Sequence, residues 1–281
     1  MLKLGPVLKF LGYENNQWKM SLLAVTGDTD LAPELILADK VLSPKSDKLL
    51  PYTKSKLWLW EFSVPLSDKA QGTEYRFDNV SYSFSTTAKN QKPAIAYTSC
   101  NGFSDPKLMK NVSDQNAQWK RLKALHDGVD TIRTTRYGPW HILLMGGDQV
   151  YSDAMWNKKY CRNLAAWTEL PWDKRKSRSF TLEMQKEVER FFEDLYISRW
   201  AQPEISQVMA SIPSVMMWDD HDIFDGWGSY PFEQHNCEVY QGIFNIAKAY
   251  FKLFQLQTVD ALPRATLPDQ DVFNQAYRIG D

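Results

Sequence analysis

Two short acidic segments in this chain each close an apolar run. The first is His141-Ile142-Leu143-Leu144-Met145-Gly146-Gly147-Asp148-Gln149-Val150-Tyr151-Ser152-Asp153, and the second is Ser214-Val215-Met216-Met217-Trp218-Asp219-Asp220-His221-Asp222. Each reads as a buried strand that delivers oxygen and nitrogen donors at its carboxyl end. In open α/β sheets that end is where ligands bind. Carboxylates gathered there repel one another and are costly to desolvate, so a cation is expected among them. Asp148, Tyr151, Asp219, Asp220, His221 and Asp222 are the groups placed to meet it.

A third apolar run lies upstream and ends in a thiol: Ala94-Ile95-Ala96-Tyr97-Thr98-Ser99-Cys100-Asn101. The three strand ends therefore read, in order, Ser-Cys-Asn, Gly-Asp-Gln-Val-Tyr and Trp-Asp-Asp-His-Asp. In that order and chemistry the chain resembles the PhoD-like (alkaline phosphatase D) metallophosphoesterases of the calcineurin-like superfamily. Most of the superfamily uses Asp-x-His at the first strand, Gly-Asp at the second and Gly-Asn-His-Asp/Glu at the third. The PhoD-like branch has Cys, Gly-Asp-x-x-Tyr and Trp-Asp-Asp-His-Asp/Glu at those places. Any one motif alone is a weak signal; the three together are specific. They cover residues 99–228, and the likeness is looser over the N-terminal region.

The resemblance implies a metal-dependent hydrolysis of phosphate monoesters or diesters by a metal-bound hydroxide. Such chemistry needs charge neutralisation and a water in line with the leaving group, which two or three metals bridged by a carboxylate supply. Asp148 is the expected bridging ligand, since Gly146-Gly147 lets the backbone turn sharply before it; the alternative is an ordinary turn or helix-capping Asp. Cys100 and Tyr151 are implied iron ligands. A phenolate favours Fe3+ over magnesium or zinc; the alternatives are a buried inert Cys and a Tyr packed beside the pocket. Asp220 is expected on a second metal, with calcium suited to its oxygen donors, and Asp219 is a ligand or a neighbour of one.

His221 is expected to donate a proton to the leaving group or to hydrogen-bond phosphoryl oxygens. Asp222 is expected to orient that imidazole through its ring N–H. Asp153 either supports the site or caps the element after Ser152. Asn101 and Trp227, the latter in the loop Asp225-Gly226-Trp227-Gly228, are candidate substrate contacts; for Trp227 a packed side chain in a tight turn is an equal alternative. His126, His141 and His235 read as structural. No Gly-x-Ser-x-Gly elbow and no Walker A motif occurs, which argues against serine-hydrolase and P-loop NTPase readings.

These residues must be held by a substantial frame. The chain has 281 residues, enough for one large or two ordinary domains. Its 33 basic and 34 acidic residues leave a formal charge of −1, so there is no footprint of non-specific nucleic-acid binding. A nuclease of the same superfamily is thereby disfavoured. The three cysteines, Cys100, Cys161 and Cys237, form no Cys-x-x-Cys pair and no even disulfide framework. No signal-length apolar stretch opens the chain and no 18-residue apolar run crosses it, so the expectation is a cytoplasmic location without membrane association.

Residues 1–90 read as β from short alternating runs such as Trp18–Val25, Leu57–Val64, Tyr75–Asp78 and Val80–Ser85. A small sandwich closes such strands, and the resemblance implies an immunoglobulin-like one. From 93 to 281 strands alternate with helices: strands at 94–100, 140–147 and 213–218, helices at 115–126, 179–200, from Pro203, and 238–254. The expectation is an α/β mixed-sheet sandwich of the αββα metallophosphatase type, incomplete, preceded by an all-β sandwich. Residues 154–211 form an insertion whose guessed role is a lid or pocket wall. Residues 276–281 look like the start of a further strand. Later His and Asp ligands of the resembled family are absent, so the alternative is an inactive fragment acting as a binding or structural module.

Overall fold

The computed structural model describes residues 1–132, 135–259 and 273–279. Eleven strands are seen among them: β1 (Leu2–Glu14), β2 (Gln17–Gly27), β3 (Leu35–Leu37), β4 (Lys40–Leu42), β5 (Ser46–Leu50), β6 (Ser55–Pro65), β7 (Gln71–Phe77), β8 (Val80–Thr86), β9 (Ile95–Thr98), β10 (Ile142–Gly146) and β11 (Ser214–Met217). Between and after the last three run α1 (Pro106–Met109), α2 (Ala117–His126), α3 (Arg162–Thr168), α4 (Trp172–Arg175), α5 (Leu182–Trp200), α6 (Pro203–Ser211), α7 (Phe232–His235) and α8 (Glu238–Tyr250). The molecule is thus a mixed α/β protein, and the strand and helix placements expected from periodicity fall on observed elements.

The N-terminal strands do not stand apart from the rest. One seven-stranded sheet runs in the order β5-β6-β2-β1-β11-β10-β9, and a second has the order β4-β3-β7-β8. The join is β1, which pairs antiparallel with β2 and parallel with β11 through Lys9 and Ser214. The hydroxyl of Ser214 also donates to the Leu8 carbonyl at 3.0 Å. Sheet pairing therefore crosses the boundary at 90–93 where the sequence pattern changes. Strands 1 to 8 form a two-sheet sandwich, with β5-β6-β2-β1 in one sheet and β4-β3-β7-β8 in the other.

The apolar runs explain this arrangement. Leu57 and Leu59 of β6 face a core built from α5, α6 and α8, whereas Trp58 and Trp60 face the second sheet. Leu23 and Val25 of β2 oppose Leu22 and Ala24 in the same way. A strand buried on both faces reads as a continuous apolar run, because alternation no longer separates core from solvent. The hairpins between β1 and β2 and between β7 and β8 turn on Asn15-Asn16 and Asp78-Asn79, all with positive φ. Asn and Asp tolerate that region, which two-residue hairpins need to match strand twist.

Residues 154–211 are not a lid. Met184, Val188, Phe192, Tyr196 and Trp200 of α5 are buried in the main core, with Ile205, Val208 and Met209 of α6. Thr181 caps α5 by accepting from the Met184 amide. Near the chain end, the Tyr13 amide donates to the Arg278 carbonyl at 2.8 Å beside β1, but residues 276–279 of the expected terminal strand form no strand; Gly280 and Asp281 lie outside the described residues. No helix among the described residues is long and apolar enough to cross a membrane.

Candidate metal centre

The carboxyl ends of β9, β10 and β11 lie side by side, because the three strands pair in parallel and in register. The loops beyond them are tied together: the Cys100 amide donates to the Gly147 carbonyl and the Asn101 amide to the Asp148 carbonyl, at 3.1 and 2.7 Å. Gly147 has a φ of +122°, and a Cβ built on it would stand 2.7 Å from the Asp219 Cβ. Only glycine meets both conditions. Cys100 and Asp148 themselves hold positive φ, at 64° and 52°, a conformation that costs energy for a side-chain-bearing residue and concentrates at functional sites.

This turn gathers the expected ligands. The Cys100 Sγ and the Tyr151 hydroxyl lie 3.4 and 3.3 Å from the same oxygen, Oδ2 of Asp148. Asp148 is 6 % exposed, and its other oxygen, Oδ1, is buried without a hydrogen-bond partner. One ligand atom each from Asp148, Asp220 and His221 fall within 4.8 Å of one another. Burial pushes the Asp148 carboxyl above its usual range, partly offset by the Cys100 hydrogen bond and His221. Burial likewise raises the Tyr151 phenol, with the Cys100 and Asp148 contacts adding to it.

Asp220 sits at the start of a 3₁₀ turn, Asp220–Asp222, and its Oδ2 accepts from the Gly226 amide at 2.7 Å. Asp219 precedes that turn and packs against Gly147. The imidazole of His221 stands against the Tyr151 ring, with centroids 4.5 Å apart. Its Nδ1 lies 2.7 Å from Oδ2 of Asp153, so Nε2 is the nitrogen left for the site. Burial alone would lower the His221 pKa, but the Asp153 contact, with Asp148 and Asp220 near, raises it above the ordinary value.

The carboxylate that orients His221 is therefore Asp153 and not Asp222. Asp222 is 1 % exposed and accepts from the amides of Gln149, Val150 and Asp219 and from the Gln255 side chain, at 2.8 to 3.2 Å. Burial lifts its pKa to about 7 against the pull of those donors. It clamps the β10 and β11 loops together. Successive residues of a 3₁₀ turn project about 120° apart, which sends His221 and Asp222 to different neighbours.

Asn101 and Trp227 also serve the frame. The Asn101 side chain donates from Nδ2 to the Gln149 carbonyl, and its Oδ1 accepts from Trp119 and from Arg199 at 3.0 and 2.8 Å. Arg199 adds a bond from Nε to the Asn101 carbonyl. Neither Arg199 nor Gln255 carries a motif that could have marked it in the sequence. The Trp227 ring stacks on Phe244 at 4.9 Å and meets the tilted His235 ring at 4.3 Å, so the ring is part of an aromatic cluster. Trp200 donates to the Gln149 carbonyl at 3.2 Å, which seats α5 directly behind the β10 loop.

Residues 80–278 match the model of the PhoD related phosphatase family. An uncharacterized protein of Saccharomyces cerevisiae is 30% identical, over 89% of this chain and 39% of its own length. A solved structure of PhoD is similar with a TM-score of 0.47 and 11% identity, over 95% of this chain and 48% of that one. The chain thus spans less than half the length of either relative.

Proposed function

From the premise that the chain belongs to the PhoD related phosphatase family, we propose that its strand-end cluster binds metal and hydrolyses phosphate esters, monoesters or diesters. The observation that carries this reading is the convergence of Cys100 and Tyr151 on one oxygen of Asp148, whose second oxygen is buried and unpartnered. A buried carboxylate oxygen without a donor costs roughly 1–3 kcal/mol or more. A cation beside it removes that cost and reverses the upward pressure on the pKa values of Asp148 and Tyr151, since coordinated groups ionise. The donor set therefore fits a metal.

Asp148, Cys100 and Tyr151 would hold one metal, and thiolate with phenolate suits iron. Asp220, with Asp219 beside it, would hold a second, whose oxygen donors suit calcium. Metal bound there would supply Lewis acidity toward water and the phosphoryl oxygens. His221 keeps a proton through its raised pKa and offers Nε2 to the leaving oxygen, while Asp153 fixes the ring and its tautomer. Asp222 plays no part in proton transfer; it holds the two loops at the spacing the ligands need.

The test is hydrolysis of p-nitrophenyl phosphate and bis(p-nitrophenyl) phosphate by purified protein, before and after chelation and metal return. Turnover that disappears on chelation and reappears with metal supports the reading. Bound metal without turnover of either ester favours the alternative, a binding module built on the same ligands. Turnover unaffected by complete metal removal contradicts the metal-dependent mechanism.

A further inference from the structure

A cavity of about 540 Å³ opens directly beside the candidate metal centre. Its apolar wall comes from Trp119, Leu122 and Leu125 of α2 together with Ile132. Thr98, Ser99 and Cys100 close the end nearest the site. Cys100 belongs to both: it lines the cavity, and its Sγ lies 3.4 Å from Asp148 Oδ2. The polar edge of Trp119 is satisfied elsewhere, by Asn101. Arg121 and Gln118 are the polar side chains that α2 adds to the lining. The volume falls in the range of small-molecule sites, roughly 300–1,000 Å³, and exceeds what a phosphoryl group alone would fill.

We propose that this cavity receives the apolar organic group esterified to the phosphate, so that the site prefers phosphoesters of alkyl or aryl alcohols over those of small polar alcohols. The proposal rests on the phosphoesterase reading above. The reacting phosphorus sits among Asp148, Asp220 and His221, and the carbon chain runs past Cys100 along α2. Apolar surface left open beside a polar centre gains most when an occupant removes it from water. Leu122 is partly buried and Ile132 is 37 % exposed, so a ligand has surface left to cover.

Binding of ethyl-, butyl-, hexyl- and octylphosphonate to the purified protein, by isothermal titration calorimetry, tests this without turnover. The expected result is an affinity that rises about three- to four-fold per added methylene until the cavity is filled. Leu122→Asn and the exposed-rim variant Ile132→Glu are each expected to flatten that dependence while leaving ethylphosphonate affinity unchanged. An affinity independent of chain length, with ethylphosphonate still bound, overturns the cavity's role alone. A dependence that persists in both folded variants also overturns it. Failure of every phosphonate to bind removes the phosphoester reading and this inference with it.

Discussion

The Nδ1 atom of His221 lies 2.7 Å from Oδ2 of Asp153, across 68 residues of sequence. The other Asp153 oxygen accepts from the Asp225 amide at 2.9 Å. One carboxylate thus fixes the imidazole and the glycine loop that follows it. Asp153→Asn is expected to reduce kcat/KM about 10- to 100-fold, the usual effect of losing a carboxylate behind a functional histidine. Because Asp153 helps raise the His221 pKa, the variant should also move the alkaline limb of the pH–rate profile to lower pH. A rate loss with no displacement of that limb would place His221 outside the proton transfer.

Asp222 predicts a different phenotype from its neighbour. Both of its oxygens accept from N–H donors, so an amide group cannot replace it without setting donor against donor. Asp222→Asn should lower stability by about 2–3 kcal/mol, read as a drop in urea midpoint with an unchanged slope. Equal stability of the variant would show that the clamp is not needed.

The contrast between these two aspartates marks the limit of sequence reading here. That Cys100, Asp148, Tyr151, Asp220 and His221 come together was legible because parallel strands in register must bring their carboxyl ends together, and these residues sit at those ends. Which carboxylate faces His221 was not legible. Adjacency in sequence favours Asp222, but the 3₁₀ turn separates the two side chains, and Asp153 arrives from another strand's loop. The parallel pairing of β1 with β11 was hidden for a similar reason. Strands covered on both faces, such as Leu57-Trp58-Leu59-Trp60, lose the alternation that distinguishes a separate sandwich from an extended sheet. Asn101 looks available in sequence, yet its partner Arg199 lies 98 residues away; Trp227 looks available too, but it packs on His235 and Phe244 of the helices that follow.

Two histidines set an acid limit on stability. His126 Nδ1 accepts from the Trp140 amide at 3.1 Å and His141 Nδ1 from the Ala94 amide at 2.9 Å. Burial lowers the His126 pKa to about 4, and it lowers that of His141 as well. A depressed histidine pKa means the unfolded chain binds more protons, so stability falls as pH drops from about 6.5 toward 4. For His126 the expected loss is about 3 kcal/mol by pH 4, at 1.36 kcal/mol per unit. His126→Asn keeps an acceptor near the Trp140 amide and removes the titration. Unfolding measured at pH 7 and pH 5 should show a smaller difference in the variant than in the parent; an equal difference would assign the acid sensitivity elsewhere.

Gly147→Ala tests the turn that presents Asp148. The new methyl group would meet the Asp219 Cβ at 2.7 Å on a backbone with φ of +122°, and such strain costs about 1–3 kcal/mol. Both carboxylates should be displaced, so metal affinity should fall together with stability. Metal affinity equal to the parent's would mean that this turn does not set the ligand positions.

Cys100, Asp148 and Tyr151 are proposed to hold a metal. The most direct measurement is elemental analysis of purified protein by inductively coupled plasma mass spectrometry, alongside Asp148→Ala. Near-stoichiometric transition metal, iron for this donor set, is expected in the parent, and its loss from a variant that remains folded. Metal-free parent protein after supply of iron and calcium, or equal metal in folded Asp148→Ala, would contradict it.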